Sequence, residues 1–132
     1  MNDTKKVLLI FIGVLLLAAG VFAAYRAYGN YDQQSALSAA LAWGNLASLP
    51  PHNDLKIEKT GSAMTREFTI TFSASKQDIR AWLKQSVGTA EVTPQIDGDI
   101  EKYAIKPAQG AQFAEVLFNT KLNIVTIHVY WS

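Results

Sequence analysis

The chain has 132 residues, of which 49% are hydrophobic, with 12 Lys and Arg against 11 Asp and Glu, and no cysteine. This length and composition predict one small folded domain and exclude a low-complexity or disordered chain. Without cysteine there is no disulfide scaffold, no thiol nucleophile, no cysteine-ligated metal site and no lipid-modified cysteine of the bacterial lipoprotein type.

The first feature is an apolar stretch, KKVLLIFIGVLLLAAGVFAAYRAY at residues 5–28, with no charged residue from Val7 to Tyr25. As a helix this run spans about 27 Å, close to the roughly 30 Å of a bilayer core. A cleaved signal sequence, cut after the small residues of AAGVFAA at 18–24, is the alternative. We favour a retained signal-anchor that contacts the lipid bilayer through residues 7–25, because the stretch is longer than a usual signal core.

The charges at the two ends of this stretch predict its orientation. Lys5 and Lys6 precede it and Arg26 alone follows closely. Since Lys and Arg stay on the cytoplasmic side, we expect a single-pass protein of the cytoplasmic (inner) membrane, with its N-terminus inside and its C-terminal domain in the periplasm. Tyr25 and Tyr28 suit the headgroup region and complete a predicted membrane interface with Lys5, Lys6 and Arg26.

A second helix is predicted over residues 32–49, after an interruption at 29–30. Ala, Leu and Gln favour helix there, Asp32 suits its first turn, and Pro50 and Pro51 cannot continue it. The sequence leaves open whether this helix is separate or extends the anchor.

Beyond the prolines the pattern alternates, which predicts strands at LKIEKT (55–60) and EFTITFS (67–73). The next segment, SKQDIRAWLKQSVG, returns to helical spacing with Ile79, Trp82 and Leu83 on one face. Ser75, with Asp78 three residues later, predicts the helix start, and Gly88 its end.

Three further strands are predicted, at about 100–106, 112–119 and 122–131, after a loop that contains Pro94 and DGD. The short NTKLN connection predicts that the last two pair as an antiparallel hairpin. The expected fold class is α+β, with an antiparallel sheet of about five strands and two helices. The predicted division is an anchor at 1–28, a helix and proline linker at 29–53, and an extracytoplasmic α+β domain at 54–132.

The last strand presents two faces. The first face consists of Val125, Ile127, Val129 and Trp131, and we expect it to meet the helix of residues 75–86. A second set of residues alternates with these four. Exposed aromatics on a sheet often mark a protein contact, so the second set is a candidate partner-binding face unless helix 32–49 covers it. That set is Ile124, Thr126, His128 and Tyr130.

Other candidate sites are weaker. Residues 27–132 carry nine Lys and Arg and ten Asp and Glu, interspersed, so no basic stripe for nucleic acid is present. The two histidines, His52 and His128, have no zinc-site spacing, and we predict no metal and no cofactor. DGDIE at 97–101 resembles half a calcium loop but is better explained as a turn. Glu67 and Glu115 could face each other across the sheet, yet nothing favours an acid–base pair over simple solvation.

These observations predict a protein that is not an enzyme. Export, together with the scarcity of catalytic groups, favours a domain that binds an unknown protein partner. Such a domain would be an immunity or inhibitor protein or a subunit of a bacterial envelope complex. A pilin-like structural subunit is the alternative, although the chain lacks that family's glycine cut site and glutamate before the apolar run. A small hydrolase is less favoured, since no nucleophile-elbow spacing occurs.

Overall fold

A computed structural model describes residues 3–62 and 64–132, apart from the side chains of residues 26–31. One long helix is followed by six strands and two shorter helices. In chain order these are α1 (Asp3–Trp43), β1 (Asn53–Gly61), β2 (Arg66–Ser73), α2 (Lys76–Gln85), α3 (Val87–Ala90), β3 (Gln95–Asp97), β4 (Ile100–Ala104), β5 (Phe113–Asn119) and β6 (Ile124–Trp131).

The chain forms two compact units, Met1–Gln34 and Ser35–Ser132. In the first unit, Asp3–Tyr25 is helical, long and apolar enough to cross a membrane, and none of that apolar window is buried by the protein. Signal sequences have the same properties, so the finding is compatible with either reading. The interface residues Arg26 and Tyr28 have side chains outside the described part.

The expected interruption at 29–30 is wrong, since the backbone is helical there and α1 extends to Trp43. The helix also ends earlier than the two prolines suggest. Asn45 adopts a left-handed conformation (φ 51°), and the amide of Leu46 donates to the carbonyl of Leu41 over 2.8 Å. This left-handed turn closes the helix before Pro50 is reached.

The six strands form one antiparallel open sheet in the order β1-β2-β6-β5-β4-β3, which confirms the α+β class. The predicted count of about five strands is one too low. The additional strand is β3, three residues inside the segment assigned to a loop, and it pairs with β4 through a turn at Gly98 (φ 58°). Three residues are too few to show an alternating pattern in the sequence.

Helix α2 begins as predicted. The hydroxyl of Ser75 accepts a hydrogen bond from the amide of Asp78 over 3.1 Å. Gly88, however, does not end α2 but lies within α3. A Cβ at this position would stand 2.0 Å from the carbonyl oxygen of Gly44, so the glycine is needed for the close approach of α3 to the turn after α1.

Helix α2 and the part of α1 after Gln34 pack on the same face of the sheet, which we call the inner face. Trp43 stacks on Phe68 with ring centroids 5.2 Å apart, and Trp82 meets Phe72 edge to face at 5.7 Å. The segment of α1 from Ser35 onwards therefore covers the inner face, which excludes the alternative that it covers the opposite one.

The inner-face residues of β6 behave largely as expected. Val125, Ile127 and Val129 are fully buried in one core together with Ile79 of α2, whereas Trp131 at the strand end is 36% exposed. The rest of the buried core comprises Ala36, Ala40, Trp43, Phe68, Ile70, Phe72, Trp82, Leu83, Tyr103, Ile105, Ala114, Val116 and Phe118.

Candidate functional site

The opposite face of the sheet, here the outer face, carries every residue of the predicted partner-binding set. Ile124, Thr126, His128 and Tyr130 alternate with the buried residues of β6 and are all half-buried. Directly opposed residues in an antiparallel pair share a face. The face therefore continues onto β2, at Glu67, Thr69, Thr71 and Ser73, and onto β5, at Phe113, Glu115, Leu117 and Asn119.

His128 occupies the middle of this face, between two carboxylates. Its Nε2 lies 2.5 Å from Oε1 of Glu67 on β2, and its Nδ1 lies 3.6 Å from Oε1 of Glu115 on β5. The first distance is a hydrogen bond, and the second is too long for one. Glu115 is directly opposite His128 in the register, and Glu67 is reached along the diagonal.

Further contacts extend this arrangement across five strands. The hydroxyl of Thr60 on β1 donates to Oε2 of Glu67 over 3.4 Å, and Nζ of Lys102 on β4 lies 3.6 Å from Oε2 of Glu115. Each carboxylate of this row therefore has partners on both neighbouring strands. We call the five residues Thr60, Glu67, His128, Glu115 and Lys102 the polar band.

An aromatic side chain borders the polar band. The ring of Phe113 meets His128 edge to face, with centroids 5.3 Å apart, and 40% of Phe113 is exposed. Tyr130 lies opposite Phe113 in the register and is half-buried. The outer face thus combines aromatic side chains at one end with the polar band beside them.

The nearest charged groups to His128 are the two carboxylates of the band. Both ring nitrogens of His128 are directed at carboxylates, and its described contacts include no Ser or Thr hydroxyl that it could activate. The two carboxylates approach different nitrogens, so they do not converge on one ligand position. Across residues 3–62 and 64–132, no group of three or more His, Asp and Glu is placed to hold a metal ion.

A second ionic cluster lies on the inner face, where α2 meets β4. Nη1 and Nη2 of Arg80 each donate to Glu101 over 2.6 Å, and the hydroxyl of Tyr103 donates to the same carboxylate over 2.9 Å. The guanidinium also lies over the ring of Phe118, 4.9 Å from its centroid. This planar, bidentate pairing fixes α2 against the sheet.

The cluster shifts the pKa values of its members in opposite directions. The hydrogen bonds from Arg80 lower the pKa of Glu101, against the opposing effect of burial. Burial, assisted by the bond to Glu101, raises the pKa of Tyr103 to about 12. The structure therefore holds Glu101 as a carboxylate and Tyr103 as a neutral phenol that donates to it.

Of the remaining sequence candidates, His52 joins neither cluster, and the DGDIE segment contributes only Glu101. His52 lies in the proline loop, with Nδ1 2.8 Å from the carbonyl oxygen of Pro50 and its ring near Phe72, away from His128. The DGDIE segment forms the β3–β4 turn. The carbonyl of Asp99 accepts from Thr120, and Glu101 pairs with Arg80, as the turn interpretation requires.

Sequence reasoning placed His128 on the correct face but missed its partners. Glu67 and His128 are 61 residues apart, and only the strand order brings them together. The alternation of Glu67 and Glu115 with buried neighbours was the available signal, because it puts both on the outer face.

No family model, curated protein or solved structure matches this chain. The function is therefore argued from the geometry of the outer face.

Proposed function

We propose that this chain is a membrane-anchored extracytoplasmic domain that acts by binding another protein through the outer face of its sheet, as an inhibitor, an immunity protein or a subunit of an envelope complex. The observation that carries the proposal is the polar band beside an exposed aromatic, on a face that neither α2 nor the segment of α1 after Gln34 covers.

The composition of the outer face supports protein recognition. Protein contacts combine aromatic anchors with polar groups whose positions are fixed before binding. Phe113 supplies an accessible ring, and Glu67 and His128 hold each other in place at 2.5 Å. Side chains that are already ordered lose less conformational entropy when a partner binds.

The same geometry argues for a non-enzymatic role. A general base needs a free acceptor within reach of its substrate, and in the polar band the ring nitrogens of His128 face carboxylates instead. In the Arg80–Glu101–Tyr103 cluster the carboxylate accepts three hydrogen bonds, so it too is occupied.

Photo-crosslinking tests the binding face. With p-benzoylphenylalanine in place of Phe113 in the full chain, illumination of cells should give a discrete heavier adduct. Glu67→Lys should abolish that adduct because it disrupts the polar band, whereas Glu91→Lys, an exposed change outside the sheet, should leave it intact. An adduct that is insensitive to Glu67→Lys would overturn the assigned face.

The proposed compartment rests on the apolar helix and on the lysines that precede it. Because the chain has no cysteine, single cysteines can report on topology. Ser62→Cys should react with a membrane-impermeant maleimide in intact cells, and Lys5→Cys only after lysis. The reverse pattern would place the domain in the cytoplasm.

A pilin-like structural role is the alternative, and one observation favours it. Helix α1 runs without a break from the apolar segment to residues that belong to the core of the sheet unit. Electron microscopy of cells that overproduce the chain distinguishes the two roles, since filaments containing this protein would support a structural subunit.

A further inference from the structure

The second surface of interest is the free edge of β1, at one end of the sheet. Every residue of this nine-residue strand is exposed except Ile57, which is half-buried. An edge strand offers unpaired backbone N–H and C=O groups to another strand, and proteins usually protect such edges with charges or irregular backbone. The edge at the other end is β3, which has only three residues.

The charged residues of β1 are arranged so that two antiparallel copies of the strand would place opposite charges against each other. Lys56 and Glu58 lie on the outer face, on either side of Ile57. If a second copy of β1 pairs antiparallel with Ile57 opposite Ile57, each Lys56 faces Glu58 of the other copy, which gives two opposite-charge cross-strand pairs. Within one chain these two side chains already lie 3.0 Å apart and remain highly exposed.

Irregular backbone at both ends of β1 limits regular pairing to the middle of the strand. Asp54 has a left-handed conformation (φ 56°), and the register with β2 is irregular between Asn53 and Lys56. At the other end Gly61 has φ 123°. The register with β2 is regular from Lys56 to Thr60. A pairing about Ile57 joins residues 55–59 of both copies, and its central three residues, 56–58, lie within the regular part.

We infer that the free edge of β1 is a homotypic interface, at which a second copy of this chain pairs antiparallel about Ile57 to give one sheet that continues through both molecules. The inner faces of both copies then lie on the same side, and the two Ile57 side chains join the cores on which they pack. The pairing uses the backbone edge of β1, although the side chains of Lys56 and Glu58 lie on the outer face. The inference rests on the proposed membrane anchoring only for the effective concentration of the two copies, and it does not depend on partner binding at His128.

The expected interface is small. Five paired residues bury less than the roughly 800 Å² per partner of a standard stable complex. Anchoring of two copies in one membrane would raise their effective concentration and compensate for a weak contact. The pairing is therefore tested in intact cells that express the full chain, rather than at high dilution.

Disulfide trapping tests the register. In an antiparallel pair about Ile57, the two Cα atoms of this residue lie about 4.5–5.5 Å apart, within disulfide range. Mild oxidation should therefore crosslink Ile57→Cys into a covalent dimer. Thr60→Cys is the matched control, because its two copies would lie about 20 Å apart along the strands. Equal crosslinking at both positions, or none at Ile57→Cys, would overturn the inference.

Exchanging the charges of Lys56 and Glu58 tests whether these residues pair between two copies rather than within one chain. In the Ile57→Cys background, Lys56→Glu and Glu58→Lys should each lower crosslinking by about fivefold, because both cross-strand pairs become like-charged. Co-expression of these two variants with different tags should yield crosslinked heterodimers, and the double exchange should restore the homodimer. If co-expression does not rescue crosslinking, the charges act within one chain and the proposed pairing is wrong.

Discussion

The two faces of the sheet are built from the same strands but are stabilised by different interactions. The inner face is closed by helices, and its centre is formed by apolar side chains with no measurable exposure, such as Ile70, Val116 and Ile127. The outer face is half-buried, and its centre is a row of ion pairs and hydrogen bonds. Burial of apolar surface dominates folding, whereas partly exposed ion pairs add little. The inner face therefore determines the fold, and the side chains of the outer face can vary at a smaller cost in stability.

The largest effect is expected from removing an inner-face side chain. Trp82 packs against Phe72, and its indole nitrogen donates to the carbonyl of Ala47 over 2.9 Å. Trp82→Ala should lower the free energy of unfolding by about 3–5 kcal/mol, since it leaves a cavity and an unpaired acceptor. Urea denaturation of the full chain in detergent, followed by circular dichroism, measures this change. Thr126→Ala on the outer face should cost less than about 0.5 kcal/mol, and equal costs would refute the contrast.

Next in size is the close approach that Gly88 allows. Gly88→Ala would place its Cβ against the carbonyl oxygen of Gly44 and should lengthen the bond from the Gly88 amide to Asn45, now 2.8 Å. We expect a loss of about 1–3 kcal/mol in the same urea titration. Val87→Ala changes an exposed residue of the same short helix and should cost less than about 0.5 kcal/mol. If Gly88→Ala and Val87→Ala lost similar amounts of stability, α3 would be able to shift and accommodate the added Cβ.

The ionic cluster at the rim of the inner face should give a smaller, pH-dependent effect. Arg80→Met should cost roughly 1–2 kcal/mol near neutral pH. Because the folded state lowers the pKa of Glu101, its stabilisation is present above the unfolded pKa and is lost as the pH falls through the folded value. The difference between wild type and variant should therefore shrink in urea titrations at acid pH, while Lys84→Met on the same helix shows no such trend. If the difference in unfolding free energy between wild type and Arg80→Met did not change with pH, the loss of stability would not come from Glu101.

At alkaline pH the sign is reversed, and Tyr103 is the group concerned. Its folded pKa is raised from 10.0 to about 12, so its contribution is complete below about pH 10 and is lost as the pH rises through about 12. Tyr103→Phe should cost about 0.5–1.5 kcal/mol near neutral pH and should lack this alkaline loss. Ultraviolet absorbance of phenolate during titration should show one late-titrating tyrosine fewer. An unchanged late transition in Tyr103→Phe would show that another group is responsible for it.

The smallest effect on stability is expected at the centre of the outer face. His128→Gln removes the pairing with both carboxylates and should cost less than about 1 kcal/mol, because all three side chains are partly exposed. The photo-crosslinked adduct at Phe113 should nevertheless be lost. A large loss of stability with an intact adduct would mean that the polar band serves the fold rather than recognition.

Much of this contrast between faces could be predicted from local sequence patterns. The alternation of β6 placed Val125 and His128 on opposite faces, and the helical spacing of Ile79 and Trp82 gave the inner face of α2. The end of α1 was misjudged because Asn45 closes the helix through a left-handed conformation that the following prolines obscure. The strand β3 was missed because three residues carry no periodicity.

The partners within each cluster could not be predicted in the same way. The contacts of Glu67 with His128 and of Arg80 with Glu101 join residues 61 and 21 positions apart. They depend on the strand order and register, which a single sequence does not specify. Alternation tells which face a side chain occupies, and only the completed sheet tells which neighbour it meets.

The position of β6 has a consequence for how the molecule is made. This strand lies between β2 and β5, and no direct pairing joins the β1–β2 hairpin to the β3–β4–β5 meander among the described residues. A ribosome must therefore synthesise the polypeptide through residue 131 before the two halves can close into one sheet. Until then the inner-face residues of β2 and β5 that lie opposite β6, such as Ile70 and Val116, lack those neighbours, so the nascent chain should be a substrate for chaperones over this interval.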